Sequence, residues 1–364
     1  MKTELGRTMD KNLVCAFVPY WGSSNPYQDE LAKSLELQGI KVEKGDTLKS
    51  VFHDIIYRRY RLDILHLHWL PTFGLRPISL LRLILFVLRL SILRVLGVKI
   101  VWTAHNLIPH ESKYHKGDWL VAKLVTTLAQ SIIVHGETAR KEVISTFRLK
   151  NPDKTLVIPH GNYIGQYPNK INRTMARKIL GIPDSKIVML FLGGIRSYKG
   201  VLELIKDFKL LNLEYEDAYL MIAGRAINDE VNDIINKEIE GHENIRYKPG
   251  FVPAEDIQVY MNACEVCVFP YKEILTSGAV ILAMSFGRAC IAPKVGDICD
   301  TLDARGAFLY EPENECGLVA AMRRAAEKRS QLEEMGEYNR LQALQRDWRM
   351  VGQKTKEVYL GCLS

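Results

Sequence analysis

Along most of the chain, short apolar runs alternate with segments whose apolar residues recur every three or four positions. The run 12–19 is the first of the short runs, and 28–39 is the first helical segment. Apolar runs of this kind predict buried strands, and strands separated by helices predict a parallel sheet with helices on both faces. The other strands predicted in this half are 62–68, 99–103, 131–135 and 155–159.

The same alternation starts again near residue 187. An apolar run at 187–192 is followed by two glycines and by a helical pattern from about Val201. Between the two halves, the polar stretch 161–177 is the best candidate for an interdomain linker. The remaining strands predicted here are 219–223, 244–247, 266–270 and 289–292.

A length of 364 residues suits two domains better than one. The pattern predicts an α/β protein built from two Rossmann-like, doubly wound domains. We place the first domain at 1–165 and the second at 166–340. A C-terminal helix at 341–364 follows and can cross back to the first domain.

The composition is that of a soluble globular protein, with 47% hydrophobic and 25% charged residues. The formal net charge of +7 favours anionic partners, or serves solubility alone. Seven sparse cysteines indicate reduced thiols in a cytoplasmic protein, and 1–11 is too polar for a signal peptide. Cys264 and Cys267 form a CxxC, but no second pair matches it, so we interpret it as the start of a buried strand.

The segment 78–96 is unusual because it is strongly apolar and lies in a stretch without acidic residues. Between Asp63 and Glu111, 47 consecutive residues carry no carboxylate side chain. The apolar segment contains three arginines, which disfavour a membrane-spanning helix. We predict a helix that inserts its apolar face into an anionic membrane surface. The alternative is a helix packed on the sheet with its arginines in solvent.

A strand that ends in glycines and is followed by two cations is the clearest candidate for a ligand site. It runs from Phe191 through Gly193 and Gly194 to Arg196 and Lys199. Glycine lets a ligand approach the backbone, and Arg and Lys contact phosphate oxygens. Since ligands bind at the carboxyl ends of strands in doubly wound sheets, the segment predicts a phosphate site. A surface turn with two solvated cations is the alternative.

A second candidate follows the strand 266–270. After a short loop, Thr276 or Ser277 can cap a helix that begins near Gly278. Free amides and the helix dipole at such a start attract a diphosphate. Glu273, just before the cap, can accept hydrogen bonds from sugar hydroxyls. An ordinary capped helix is the simpler interpretation, but the presence of both clusters favours a phosphate site.

The third candidate lies in the first domain, at the ends of two neighbouring strands. His105 and Asn106 follow the strand 99–103, and His68 and Trp69 end the strand 62–68. His-x-His on a strand suggests a metal, but no third ligand with suitable spacing accompanies it, so we expect no metal. Histidine and aromatic side chains favour a pocket for a hydroxyl-bearing ligand.

Taken together, these segments resemble those of the group 1, or family-four, glycosyltransferases of the GT-B fold. The resemblance covers nearly the whole chain and is strongest from residue 155 to 295. It implies two Rossmann-like domains that face each other across a cleft and bind a nucleoside-diphosphate sugar. The matching segments are FLGGIRSYKG, LVIPHGNY, LMIAGRA, NIRYKPGFVPAEDIQVYMNACEVCVFPY, VWTAHN and PYWGSSNPY.

The resemblance assigns roles to individual positions. Lys199 falls at the family's phosphate-binding lysine, and Arg196 can replace an arginine that the family carries where Gly194 stands. Gly22 matches a first-domain glycine near the donor, and His105 matches the histidine that contacts the sugar. The implied donor-binding residues are Gly22, Gly194, Arg196, Lys199, Thr276, Ser277 and Gly278.

The chain departs from the family in the helix after Ser277. The family carries two glutamates, the second directly before an Ala-Met pair, whereas Leu282 precedes Ala283 and Met284 here. Glu273, one position from the expected place, is the candidate for the first glutamate. The contact to ribose and the anomeric outcome, retaining or inverting, therefore stay open.

The resemblance implies a metal-independent hexosyltransferase that moves a sugar from a UDP- or GDP-sugar to a hydroxyl, with no cofactor besides this substrate. His105 and Glu273 are the implied catalytic residues. The acceptor would be a polysaccharide or lipid-linked precursor, and the protein would be peripheral on the inner face of the plasma membrane. The implied acceptor-side residues are His68, Trp69, Asn106 and Glu111.

Other functions stay open at this point. A sugar-nucleotide epimerase of the same fold would isomerise the donor without transferring the sugar. A nicotinamide-dependent oxidoreductase or a non-catalytic nucleotide-binding protein is a further alternative, although PYWGSSNPY lacks G-x-G-x-x-G. We expect no nucleic-acid binding, because the basic residues interleave with Leu and Ile and not with exposed aromatic residues.

Overall fold

The structure is a computed structural model and describes residues 13–22, 26–73, 77–108 and 114–364. Contacts divide it into two compact units. The first unit comprises the described residues up to Val134, together with Val143–Ile158 and Trp348–Ser364, and the second comprises His135–Glu142 and Pro159–Asp347. Each unit is built on its own parallel sheet, which confirms the predicted α/β fold of two Rossmann-like units.

The first sheet is formed by β1 (Leu13–Val18), β2 (Ile40–Lys44), β3 (Ile64–Leu67), β4 (Lys99–Thr103), β5 (Ser131–Val134) and β6 (Thr155–Val157). These strands are parallel and lie in the order β2-β1-β3-β4-β5-β6. Strands β3 and β5 are buried along their whole length, as apolar strands of a parallel sheet with helices on both faces require. The strand order reverses between β1 and β3, and the carboxyl ends of strands at such a switch point are where α/β sheets bind ligands.

The second sheet is formed by β7 (Ile187–Leu192), β8 (Ala218–Gly224), β9 (Ile245–Pro249), β10 (Val266–Val268), β11 (Ala289–Pro293) and β12 (Ala307–Tyr310). Its strands are also parallel and lie in the order β12-β11-β10-β7-β8-β9. The switch point therefore lies between β7 and β10. The two phosphate-binding clusters predicted from the sequence follow these two strands.

Helices connect the strands and end in a helix that returns to the first unit. They are α1 (Pro26–Glu36), α2 (Leu48–Tyr57), α3 (Pro77–Val95), α4 (His115–Leu128), α5 (Glu137–Thr146), α6 (Arg173–Leu180), α7 (Val201–Asn212), α8 (Asp229–Ile239), α9 (Ile257–Ala263), α10 (Gly278–Ser285), α11 (Ile298–Thr301), α12 (Gly317–Glu327), α13 (Leu332–Leu344) and α14 (Trp348–Leu363). Helix α14 packs against α1, where the Ser34 hydroxyl donates to the Trp348 carbonyl oxygen at 2.6 Å. A Cβ on Gly352 would lie 2.2 Å from Ser34 Oγ, so glycine permits the close approach of the two helices.

The polar stretch 161–177, predicted as an interdomain linker, lies within the second unit, and α6 begins in it at Arg173. Asn172 caps this helix by accepting a hydrogen bond from a backbone amide. Arg177 of α6 is buried and donates from Nη2 to both carboxylate oxygens of Glu265 at 2.7 Å. At Arg177 the polar residue therefore belongs to a buried ion pair of the second unit, whereas Asn172 and Arg173 are exposed.

Helix α3 has one face against the first unit and one apolar face on its surface. Leu90 and Leu93 are fully buried. On the outer side, Leu81, Ile84 and Leu88 recur at helical spacing and are 54%, 62% and 50% exposed. Within the described residues, no helix combines the length and the apolar character needed to cross a bilayer.

Candidate active site

In the second unit, the loops that follow β7 and β10 lie side by side at the switch point of the sheet. The backbone amide of Lys272 donates to the carbonyl oxygen of Tyr198 at 2.8 Å. A Cβ on Gly200, whose φ is +65°, would lie 2.0 Å from the carbonyl oxygen of Pro270, so glycine permits this approach of the backbones. The two predicted phosphate-binding clusters are therefore direct neighbours.

Lys199 and Arg196 place two positive charges in the loop after β7. Burial, with the charge of Arg196, lowers the pKa of Lys199 to about 8. No acidic side chain forms an ion pair with Lys199 in the part of the chain that the structure describes. Gly193, with φ +143°, lies beside the ammonium group, since a Cβ there would be 3.6 Å from Nζ. This uncompensated charge beside exposed backbone favours an anion.

In the loop after β10, Ser277 is the residue that caps α10. Its side chain accepts a hydrogen bond from the amide of Val280 at 3.3 Å. Thr276, the alternative cap, instead contacts the carboxyl group of Asp297. The first amides of α10 have no acceptor within the helix, and its dipole is positive at this end. Glu273 is exposed in the same loop.

Buried polar residues around this loop were not predicted from the sequence. A Cβ on Gly278 would lie 3.1 Å from the Tyr163 hydroxyl and 3.6 Å from Nε2 of His160. Burial lowers the pKa of His160 to about 3 and raises the pKa of Asp297 to about 7. His160 and Tyr163 belong to the segment LVIPHGNY, which the sequence marks, but their position beside the start of α10 depends on contacts more than 100 residues apart in sequence.

In the first unit, side chains from the loops after β1, β3 and β4 form one stack of rings at the switch point. Trp21, Trp69 and His105 stack in this order, with ring centres 4.8 Å and 4.6 Å apart. Nε2 of His105 lies 3.2 Å from Nδ1 of His68. The structure therefore brings together three residues that the sequence analysis places on the acceptor or catalytic side. Trp21 is the member of the stack that sequence reasoning missed.

A buried chain of hydrogen bonds supports this stack. Nδ1 of His66 lies 2.6 Å from the hydroxyl of Tyr359, and Nε2 lies 2.7 Å from Oγ1 of Thr103. The rings of His66 and His68 stack with centres 4.3 Å apart. Hydroxyl groups thus contact both ring nitrogens of His66 and fix the orientation of its ring. These contacts and the stacking of the two rings account for the His-x-His pattern. The described residues contain no group of three side chains suited to hold a metal.

Three further predicted site residues are Gly22, Asn106 and Glu111. A Cβ on Gly22 would lie 2.3 Å from the Tyr20 hydroxyl and 2.7 Å from a carboxylate oxygen of Asp29. A side chain at this position would clash with both groups, so glycine is favoured here for steric reasons. Asn106 is half-buried after β4. Glu111 lies outside the described residues. Contacts of these residues with a substrate stay predictions.

Comparison with known proteins relates the chain to glycosyltransferases. Residues 186–328 match the family model described as glycosyl transferases group 1. A GDP-mannose:glycolipid 4-beta-D-mannosyltransferase from Xanthomonas campestris pv. campestris is 28% identical over 315 residues, which are 83% of this chain and 81% of that protein.

Solved structures share the fold over almost the whole chain. Sucrose-phosphate synthase from Thermosynechococcus elongatus superposes with a TM-score of 0.75 at 16% identity, covering 96% of this chain and 98% of that one. HepE from Anabaena, solved with UDP-glucose, has a TM-score of 0.74 at 16% identity, covering 96% and 100%. At this identity the likeness shows the fold, which is that of the GT-B enzymes.

The fold is thus that of a GT-B protein. The chain is a glycosyltransferase, and residues 186–328 are similar to the group 1 family. The resemblance stated from the sequence is confirmed.

Proposed function

We propose that the protein transfers a sugar from a nucleoside-diphosphate sugar to a hydroxyl of a lipid-linked glycan. The observation that carries the proposal is the joint position of Lys199, Arg196 and the capped start of α10 at one switch point. Two cations and a helix N-terminus suit the charge of a diphosphate. The named Xanthomonas relative supports GDP-mannose as the first donor to test and a glycolipid as the acceptor.

In the reaction, the bond between the sugar C1 and the diphosphate oxygen breaks, and a bond between C1 and the acceptor oxygen forms. Lys199, Arg196 and the first amides of α10 stabilise the negative charge of the leaving diphosphate, so no metal is required. Gly194 and Gly278 let the diphosphate approach the backbone, and Thr276 and Ser277 hold the loop in place. Gly22 is the proposed donor contact from the first unit.

The sugar and the acceptor are oriented by the remaining predicted residues. His105 and Glu273 contact sugar hydroxyls, and His68, Trp69 and Asn106 contact the acceptor. If the enzyme retains the anomeric configuration, the acceptor proton passes to the departing diphosphate. If it inverts, a carboxylate accepts the proton, and the candidates by sequence position are Glu111 and Glu137.

A donor panel tests the proposal directly. UDP-, GDP- and ADP-sugars are added separately to the protein with EDTA present, and the melting temperature is followed, because a ligand that binds the native state raises it. We expect GDP-mannose to stabilise the protein and Lys199→Met to abolish the effect. Incorporation of radiolabelled sugar into a lipid extract then separates transfer from isomerisation of the donor. Absence of a shift with every donor would overturn the proposed function.

We further propose that α3 holds the protein at an anionic membrane surface on the cytoplasmic side, where a lipid-linked acceptor is presented. The exposed stripe of Leu81, Ile84 and Leu88 supplies apolar surface. Arg82 and Arg94 are exposed on the same helix and can pair with lipid phosphates. This combination, in a segment free of acidic residues, supports interfacial binding.

A further inference from the structure

We propose that the stacked pair of Trp21 and Trp69 is a platform that binds a sugar ring of the acceptor. This inference rests on the proposed function and deepens it, because it names the surface that would bind a sugar ring of the acceptor. The acceptor would present a pyranose ring whose C–H face lies flat on Trp21.

The stack of rings ends in a solvent-exposed tryptophan. The rings of Trp21 and Trp69 are nearly parallel, with 16° between their planes. The rings of Trp69 and His105 are also nearly parallel, with 17° between their planes. One face of Trp69 is covered by Trp21 and the other by His105. Trp21 is 51% exposed, so the stack ends in an aromatic residue that is accessible to solvent. A large exposed aromatic ring at a ligand-binding edge is suited to flat, amphipathic ligands.

Hydrogen bonds hold the backbone of the Trp21 loop in place, although Trp21 itself is exposed. The Trp21 amide donates to Oε1 of Gln28 at 2.7 Å, and Nε2 of Gln28 donates to the Pro19 carbonyl oxygen at 2.8 Å. Gln28 itself is 1% exposed, so its amide group holds the loop from the buried side. The preceding amide, that of Tyr20, donates to the carbonyl oxygen of Gly45 at 3.0 Å. A surface that is ordered before the ligand arrives loses less entropy on binding.

The pair of tryptophans lies at the switch point of the first sheet. Trp21 follows β1 and Trp69 follows β3, so the two rings come from the two sides of the switch point of the first sheet. α/β sheets bind ligands at this edge. The location therefore indicates a ligand site without any reference to the exposure of the rings. The stack also connects Trp21 to His105, which the proposed function places at the transferred sugar.

The chemistry of the stack selects a carbohydrate over an anion. The rings contribute apolar faces and N–H or ring-nitrogen groups. A pyranose has the matching pattern, since its C–H groups form an apolar face and its hydroxyls accept and donate hydrogen bonds at the edge. The diphosphate of a nucleotide requires cations. The second unit supplies them, and this stack does not.

Saturation-transfer NMR tests the platform with free sugars. The full-length protein is titrated with the methyl β-D-pyranosides of glucose, mannose and galactose as probes. We expect at least one of them to receive saturation mainly on one C–H face. Trp21→Ala should remove this signal, and Trp21→Phe should keep part of it because a flat ring remains. A signal of unchanged strength in Trp21→Ala would overturn the proposal.

Kinetics provide the second measurement, with a glycolipid acceptor and the donor found in the panel. Trp21→Ala should raise KM for the acceptor by about tenfold or more and leave KM for the donor unchanged, as expected when a ground-state contact is lost. Tyr57→Ala, which removes another exposed aromatic ring of the first unit, is the matched control and should change neither constant. An equal effect of Tyr57→Ala would contradict the assignment.

Two further outcomes are informative. If Trp21→Ala loses binding to anionic phospholipid vesicles while saturation of the sugars persists, the ring contacts lipid and the platform is refuted. If no donor stabilises the wild-type protein but the one-sided sugar signal depends on Trp21, the proposed function fails and the sugar site stands. Melting curves of Trp21→Ala and Trp21→Phe establish that both variants are folded.

Discussion

The ammonium group of Lys199 lies 5.5 Å from the centre of the Tyr271 ring, so a cation from the loop after β7 rests on a side chain from the loop after β10. Tyr271 is buried and lies next to the Ser277 hydroxyl. The cation, the ring and the cap of α10 therefore form one continuous set of contacts. Changes in any of them should affect donor binding, each in a distinguishable way.

Lys199→Met should weaken donor binding and remove much of its pH dependence. Burial and Arg196 lower the pKa of Lys199 to about 8 from its usual 10.5, so the free site loses this proton as the pH rises through that value. A bound diphosphate favours the charged ammonium group and raises the pKa again. Binding above pH 8 thus takes up a proton, and affinity should fall by up to about tenfold per pH unit. Isothermal titration with GDP at several pH values measures this.

The ligand-free protein should respond to pH in the opposite direction. Between its folded pKa of about 8 and the unfolded value of 10.5, Lys199 carries fewer protons in the folded state, so its contribution to stability rises with pH. Lys206→Met, which removes an exposed lysine of α7, is the control. Equal pH slopes of GDP affinity in the two variants would argue against Lys199 as a phosphate ligand.

Ser277→Ala should lower stability and donor affinity together. Loss of the side-chain cap costs about 1 kcal/mol, and the released start of α10 holds a diphosphate less well. Asn228→Ala is the matched control, because Asn228 caps α8 by accepting from the Val231 amide at 3.0 Å. Both variants should melt at lower temperature, but only Ser277→Ala should weaken GDP binding. Similar GDP affinities for the two variants would show that the cap serves folding alone.

Tyr359→Phe should destabilise the first unit. Its hydroxyl lies 2.6 Å from Nδ1 of His66 and is fully buried, so the substitution removes a hydrogen bond from a buried group. Such a loss costs about 1–3 kcal/mol. Urea unfolding followed by tryptophan fluorescence measures it, with Tyr57→Phe at an exposed position as the control. A change below that of the control would mean that the His66 contact contributes little.

Arg177→Met should destabilise the second unit strongly. The guanidinium of Arg177 contacts both carboxylate oxygens of Glu265 at 2.7 Å and donates to two backbone carbonyl groups. Removing it leaves a buried carboxylate with less compensation, at a cost of about 3–5 kcal/mol. The exposed pair of Arg323 and Glu214 is the comparison, and Arg323→Met should cost much less because water screens the pair. Urea unfolding of both variants would reveal the contrast, and equal losses would contradict it.

Ile84→Glu with Leu88→Glu should abolish binding to anionic vesicles and leave GDP binding intact. Both side chains lie on the exposed face of α3, so the charges remain in solvent in the free protein and oppose insertion into lipid. Flotation with vesicles that contain phosphatidylglycerol measures the effect. Replacement of Arg82 by Glu separates the electrostatic part, which should weaken with salt. Wild-type protein that does not float with these vesicles would exclude the proposed membrane contact.

The elements that the sequence predicts well are those whose hydrophobic pattern is local. The bounds predicted for β4 and β7 are those of the structure, because both contain a short, continuous apolar run. The cap at Ser277 is likewise one of the two residues predicted, since capping depends on the residues that follow directly. Strand β2 is absent from the sequence prediction because it is short and alternates between buried and exposed positions.

Patterns that depend on distant partners were harder to interpret. The charged residues of α6 indicated a linker, since nothing near Arg177 in sequence reveals Glu265, 88 positions away. For His-x-His the sequence analysis expected no metal but could not name the partner of His66, because Tyr359, whose hydroxyl contacts it, lies 293 positions away. In both cases the polar residue is satisfied by a contact that only the folded chain creates.

By itself, the sequence determined the alternation of strands and helices, the two-unit organisation and the resemblance to glycosyltransferases. Those properties follow from hydrophobic periodicity and short motifs, which act over neighbouring residues. The tertiary structure alone decided that Lys199, Tyr271 and Ser277 share one site, and that Trp21 joins Trp69 and His105 in a stack. Strand order brings those loops together, and strand order depends on packing between residues that are far apart in the chain.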